Sequence, residues 1–242
     1  MGAREPFNEL LSTDGTREYA FTRADFDRVR RLIHGRAGIS LNDSKQNMVY
    51  SRLSRRLRSC GFTSFDAYLD RLERDPVFDA SEAQEFVNAL TTNLTAFFRE
   101  PHHFPVLAEF LRAQDRGRPL NLWCAAASTG EEPYSIAMTM AEALGAGTAA
   151  RLLATDIDTG VLAAAGRGVY RLDAARQCGG ERLKRFFLRG MGAQDGMARI
   201  KPELARLVEF APLNLLDGQW GALKSFAPEV DVIFCRNVMI YF

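Results

Sequence analysis

Two acidic pairs occupy positions where an α/β protein would hold a small ligand. Glu131 and Glu132 open a predicted helix directly after the small residues Ala125 to Gly130, and Asp156 and Asp158 follow a short apolar run, RLLAT, over Arg151 to Thr155. In an open α/β sheet, ligands sit at the carboxyl ends of the strands, near the point where strand order reverses. Small side chains let the backbone approach a ligand closely, and an acid at the end of the second strand is placed to accept hydrogen bonds from ribose hydroxyls. The turn is not GxGxxG and lacks the lysine of a phosphate-binding loop. Two carboxylates at the helix N-terminus repel the pyrophosphate of NAD and favour a cation. Helix capping is the plain alternative, since acids there gain about 0.3–1 kcal/mol from the helix dipole. Asp158 is placed to start the next helix, so the ribose contact falls to Asp156. A nucleoside with a cationic tail satisfies both positions, and S-adenosylmethionine has that chemistry.

Strands and helices must hold these residues in place. Leu120–Ala125, Arg151–Thr155, Leu207–Phe210 and Val230–Cys235 are short apolar runs, with helical stretches at about Glu131–Leu144 and Thr159–Gly166. That alternation predicts βαβ units, a parallel sheet and right-handed crossovers. Between Arg189 and Arg206 it breaks: RGMGAQDGMARIK places Gly190, Gly192 and Gly196 close together, which predicts a β-hairpin excursion. Upstream, the pattern is helical. Thr22 is placed to cap a first helix bearing Phe26, Val29 and Ile33, which Gly38 ends. A second helix, Asp43–Ser59, has Val49, Leu53 and Leu57 on one face. Ser64–Arg74 and about Ser81–Leu90 complete an all-α bundle.

Composition narrows the function classes. The chain has 242 residues, 47% hydrophobic and 25% charged, which excludes a mainly disordered or collagen-like chain. No apolar run approaches the roughly 18 residues of a membrane span, and residues 1–20 lack the apolar core of a secretory signal. A cytoplasmic protein is expected. Four cysteines without a CxxC pair fit reduced, buried thiols rather than a zinc site. Among three histidines, His102 and His103 read as packing or capping groups, with no further ligand types clustered near them, and no metal is expected. The net charge is +1, yet Thr22 to Cys60 holds ten Lys/Arg against three acids. A basic module on an otherwise acidic chain asks for an acidic partner or a solvated face.

The strings TTNLTAFFRE (Thr91–Glu100), HHFP (His102–Pro105), AAASTGEEPYS (Ala125–Ser135), ATDIDTGVL (Ala154–Leu162) and FCRNVMIYF (Phe234–Phe242) closely resemble the chemotaxis receptor methyltransferases of the CheR family. The resemblance runs from about Phe21 to Phe242. It implies methyl transfer from S-adenosylmethionine to receptor glutamate side chains, giving glutamate methyl esters and S-adenosylhomocysteine. It implies a Rossmann-like methyltransferase domain over 120–242 with a small β-subdomain at about 188–206. Before it come a polar tail at 1–20, a basic all-α domain at 21–93 and a linker with a connecting helix at 94–119.

Carried over by position, the family's cofactor contacts fall on Asn93, Thr95, Arg99, Glu132, Asp156, Asn214, Leu215, Arg236 and Asn237. Arg99 and Tyr241 match the residues nearest the transferred methyl. Arg52, Arg55, Arg56 and Arg58 are placed to dock the acidic helices of the receptor's cytoplasmic domain, and Gly190 and Gly192 to admit a receptor C-terminal tail peptide at an exposed strand edge. A monomer that neither binds nucleic acid nor inserts in membranes is implied. The family continues beyond the last motif, so Val230–Cys235 is expected to be a sheet edge with uncovered apolar surface. A cofactor-binding regulatory module without turnover is the alternative, ahead of a nucleic-acid methyltransferase, for which neither an Asn-Pro-Pro-Tyr-like string nor a Pro-Cys nucleophile is present.

Overall fold

The backbone of a computed structural model, described for residues 17–114, 118–145 and 150–242, divides into two units: one ends at Thr91 and takes in Tyr241–Phe242, the other runs from Thr92 to Ile240. Most of the tail expected at 1–20 lies outside the described residues.

Local sequence explains the helices of the first unit. Helix α1 (Arg23–Ala37) starts with a capping box: Thr22 Oγ1 accepts from the Asp25 N–H while Asp25 Oδ2 accepts from the Thr22 N–H. It stops at Gly38 in the left-handed region. Helix α2 (Gln46–Cys60) follows a 3-10 turn over Asp43–Lys45, and Ser64 caps α3 (Phe65–Arg74). Helix α4 (Pro76–Leu90) begins five residues before the expected Ser81. Pro76 ends the preceding helix but also fits the first helical position of the next, where Asp75 accepts from the Val77 and Phe78 N–H groups. Phe26, Ile33, Leu53, Leu57, Phe65 and Tyr68 fill the core without exposure. Each such side chain contributes about 1.5–3 kcal/mol of hydrophobic transfer.

The positive charge of this unit's first half is largely offset within the unit. Its arginines are met by acids that lie after Cys60: Arg28 pairs with Asp66, Asp70 and Glu73, Arg36 with Asp79, and Arg56 with Glu82. From Phe21 to Thr91 there are twelve Lys/Arg and ten Asp/Glu, so the excess seen in the first half is nearly cancelled by the second.

In the second unit, α5 (His103–Arg112) leads to strand β1 (Leu120–Cys124), α6 (Glu131–Leu144), β2 (Ala150–Asp156) and α7 (Thr159–Arg167). Then come β3 (Val169–Arg171), short helices α8 (Leu172–Ala175) and α9 (Gly180–Phe186), β4 (Phe187–Arg189), β5 (Met197–Ile200) and α10 (Pro202–Ala205). Strand β6 (Val208–Pro212), α11 (Gly221–Phe226) and β7 (Val232–Phe234) follow. The expected parallel sheet is present, in the order β6-β2-β1-β7, with Leu122 opposite Leu152 and Val232. Strand β1 is buried on both faces: Leu122 and Cys124 join one apolar cluster with Ile136 and Leu152, while Trp123 joins another with Leu153 and Phe226. Burial on both faces is why its sequence is a nearly unbroken apolar run. Strand β7 lies at the sheet edge, as expected, with Ile233 exposed.

The excursion is larger than the predicted hairpin. Strands β4 and β5 form it, but β3 pairs with the other side of β5, giving a three-stranded antiparallel sheet in the order β3-β5-β4 that begins at Val169. Phe97, Tyr134, Tyr170 and Phe187 pack beneath it. Cys124 and Cys178 are buried as expected, whereas Cys235 is exposed.

Candidate functional site

The turn after β1 is built around one carboxylate. Asp156, buried at the end of β2, accepts from the Ser128 N–H at 2.8 Å through Oδ2 and from the Asp158 N–H at 3.0 Å through Oδ1. Burial pushes its pKa up, and those two backbone hydrogen bonds oppose the rise. Ser128 sits at φ 48°, and Gly130, the last residue before α6, at φ 98°. A β-carbon on Gly130 would stand 2.6 Å from the Tyr170 hydroxyl and 2.9 Å from the Ala165 β-carbon. That turn therefore needs glycine to pack against its own chain.

Asp158 caps α7, as expected, accepting from the Gly160 and Val161 N–H groups through Oδ1. Its other oxygen accepts from Asn93 Nδ2 at 2.9 Å, and the Asn93 carbonyl accepts from Ser128 Oγ at 3.0 Å. Asn93 thus ties the start of the second unit to both the β1 turn and the β2 end. After β6, the Leu213 N–H donates to the Asp156 carbonyl, which brings Asn214 and Leu215 beside the same strand end. Asn214 Oδ1 accepts from the Leu216 N–H, and Leu215 packs on the Trp123 cluster. Thr95 is half-buried in the segment after Asn93.

Glu132 is the second buried acid. Its Oε2 lies 2.6 Å from Arg236 Nη1, with both side chains 10% exposed, and Cys124 Sγ lies 3.6 Å from Oε1. Burial raises the Glu132 pKa while Arg236 pulls it down. Arg236 also donates to the Arg99 carbonyl at 2.7 Å and lies 3.2 Å from Glu100, and its Nε is buried without a hydrogen-bond partner. Asn237 donates to Glu100 Oε1. The Arg99 guanidinium turns back to its own segment, donating to the Leu94 carbonyl at 2.8 Å. Phe98, Glu100, Ser128 and Asn237 all have φ between 48° and 54°. Non-glycine residues in that region cost roughly 1–3 kcal/mol each and gather at functional sites.

Sequence reasoning named Glu132 and Arg236 separately and did not foresee their pairing. It also passed over Glu100, Cys124 and Ser128. Glu100 in FFRE was visible as the acid nearest the two histidines, but nothing marked its backbone as left-handed. The statement that no further ligand type lies near His102 and His103 does not hold, because Glu100 has a carboxylate oxygen 3.8 Å from His103 Nδ1. Tyr241 falls in the first unit, where its carbonyl accepts from the Ser40 N–H.

The docking positions divide. Arg52 donates to the Thr91 carbonyl, and Arg56 is locked to Glu82 by two hydrogen bonds. Arg58 pairs on the surface with Glu18, and Arg55 is exposed. At Gly190 an added β-carbon would overlap the Gln194 carbonyl oxygen, so that glycine makes room for the hairpin's own loop, whereas Gly192 faces open space.

Comparison with known proteins decides the family. Residues 93–242 match the CheR methyltransferase SAM binding domain, and residues 24–91 match the CheR methyltransferase all-alpha domain. The chain belongs to the CheR methyltransferase family. It is 55% identical to chemotaxis protein methyltransferase 2 of Pseudomonas aeruginosa over 94% of this chain and 79% of that protein. Against the chemotaxis protein methyltransferase of Escherichia coli the identity is 51%, over 94% and 77%. Against that of Borreliella burgdorferi it is 34%, over 91% and 78%.

The donor set suits the methyl donor of a CheR domain. Two buried carboxylates at adjacent strand ends match hydroxyl and ammonium groups, and the unpartnered Arg236 Nε and the rest of the Arg99 guanidinium match a carboxylate. The amides of Ser128 and Gly130 are spent on Asp156 and the Ala127 carbonyl, so a diphosphate finds them already engaged. Among the described residues, no helix is long and apolar enough to cross a membrane.

Proposed function

We propose that this CheR-family methyltransferase esterifies glutamate side chains in the cytoplasmic domain of chemotaxis receptors. S-adenosylmethionine supplies a methyl group on a sulfonium leaving group and is released as S-adenosylhomocysteine. Asp156 holds the ribose hydroxyls. Asn214 and Leu215 flank the adenine. Glu132 faces the ammonium, and Arg99, Arg236 and Asn237 hold the carboxylate end, with Asn93 and Thr95 closing the rim.

The residues have little covalent chemistry to do. A glutamate carboxylate, with a reference pKa of about 4.3, is ionised at neutral pH and needs no general base. Alignment of carboxylate oxygen, methyl and sulfur in line, and removal of water that would solvate the nucleophile, supply the rate. Arg99 orients a carboxylate, either the donor's own or the incoming glutamate. The observation that carries this reading is the pair of buried acids, Asp156 and Glu132, set at adjacent strand ends beside an arginine cluster.

Two docking elements complete the proposal. Arg55 and Arg58, the exposed members of the basic helix, steer acidic receptor helices, and Gly192 leaves the small sheet's loop open to a receptor tail peptide. The enzyme works as a cytoplasmic monomer. Incubation with methyl-labelled S-adenosylmethionine and a chemoreceptor cytoplasmic fragment tests the reading. It predicts label that mild base releases as methanol; label stable to base, or none, contradicts it.

A further inference from the structure

We propose that Glu100, His102 and His103 form a binding site for one divalent transition-metal ion. Each residue offers a ligand atom, and the three atoms lie within 4.8 Å of one another. Two imidazoles and a carboxylate are a borderline donor set that suits cobalt, nickel or zinc and not magnesium.

Two observations point to a cation here rather than to ordinary surface polarity. His103 Nδ1 is buried and has no hydrogen-bond partner, yet it faces Glu100 Oε2 at 3.8 Å. That gap is too wide for a hydrogen bond and close to the separation of about 3.4 Å that two ligands show across an ion at roughly 2.1 Å from each. The His103 ring is half-buried at the start of α5. The His102 ring lies against it, with centroids 4.1 Å apart.

The site has room to close. The Glu100 and His103 side chains are 39% and 37% exposed, and His102, which precedes α5, makes no side-chain capping bond. Closure draws Glu100 from Arg236 and Asn237, its present partners. That competition, together with the unfavourable end of the α5 dipole, keeps the site weak enough to exchange its ion.

Titration of the full chain with cobalt(II), followed by visible absorption, tests the site. The expected result is one equivalent bound with a d–d spectrum lacking a thiolate charge-transfer band, so that neither Cys60 nor Cys235 is a ligand. His102→Ala, His103→Ala and Glu100→Gln should each weaken binding about tenfold or more, with unchanged thermal melting. Magnesium should not compete. Absence of binding by the wild-type chain, or binding with a thiolate band that all three variants retain, would overturn the assignment.

Discussion

Arg236 crosses 104 residues of sequence to place its Nη1 2.6 Å from Glu132 Oε2, and the same guanidinium donates to the Arg99 carbonyl. One side chain at the end of β7 therefore fixes both the acid that opens α6 and the backbone of the segment that carries Arg99. The two ionic partners are almost fully shielded, so neither tolerates loss of the other.

Arg236→Ala leaves Glu132 as an uncompensated buried charge. The expected cost is about 3–5 kcal/mol in urea unfolding, with much of it recovered in the double variant Arg236→Ala/Glu132→Gln. Donor binding should stay weak in both, because the arginine cluster remains broken.

A similar contrast separates Arg56 from Arg55. Glu82 is 4% exposed and is held by the Arg56 guanidinium and the Tyr68 hydroxyl. Arg56→Ala should destabilise by about 3–5 kcal/mol. Arg55→Ala should change stability by less than about 0.5 kcal/mol, as exposed substitutions usually do. Chemical denaturation distinguishes them. Slower receptor methylation in Arg55→Ala, most visible at low salt, would then report docking rather than unfolding.

Acidification should weaken donor binding earlier than ordinary carboxylates predict. Burial raises the pKa of both Asp156 and Glu132. The fold therefore binds their protons more tightly than the unfolded chain, and between the ordinary and the raised values these two groups favour the folded state as pH falls. Recognition of hydroxyl and ammonium groups needs the ionised forms, so affinity declines across that window while stability does not. Calorimetric affinity measured against pH checks this, and Glu132→Gln should flatten the profile.

Gly130→Ala should be destabilising through three causes. The left-handed φ disfavours any β-carbon, the Tyr170 hydroxyl occupies the space, and the Ala165 β-carbon crowds it as well. Tyr170→Phe in the same chain relieves only the second, so a partial recovery of thermal stability is expected.

Much of both units was legible because many of their elements are set by local sequence. The LNLWC run is buried on both sheet faces, and Thr22, Ser64 and Gly38 punctuate helices with their own side chains or backbone freedom. Strand β3 was not legible: three residues, Val169–Arg171, become a strand only because β5 lies beside them. The start of α4 was expected at Ser81, but the fixed φ of Pro76 already serves its first helical position. Of the docking arginines, Arg56 is neutralised in space by Glu82, a pairing that charge summed along the chain does not reveal. Glu132 and Asp156 were visible at strand ends. The Arg236 contact was not, since no spacing rule links residues so distant.

Calorimetric titration of the folded chain with S-adenosylhomocysteine tests the placement of the methyl donor most directly. A single site is expected, weakened about tenfold or more by Asp156→Asn and by Glu132→Gln, as loss of a charged hydrogen bond requires. No heat with the wild-type chain, or full affinity in both variants, would contradict it.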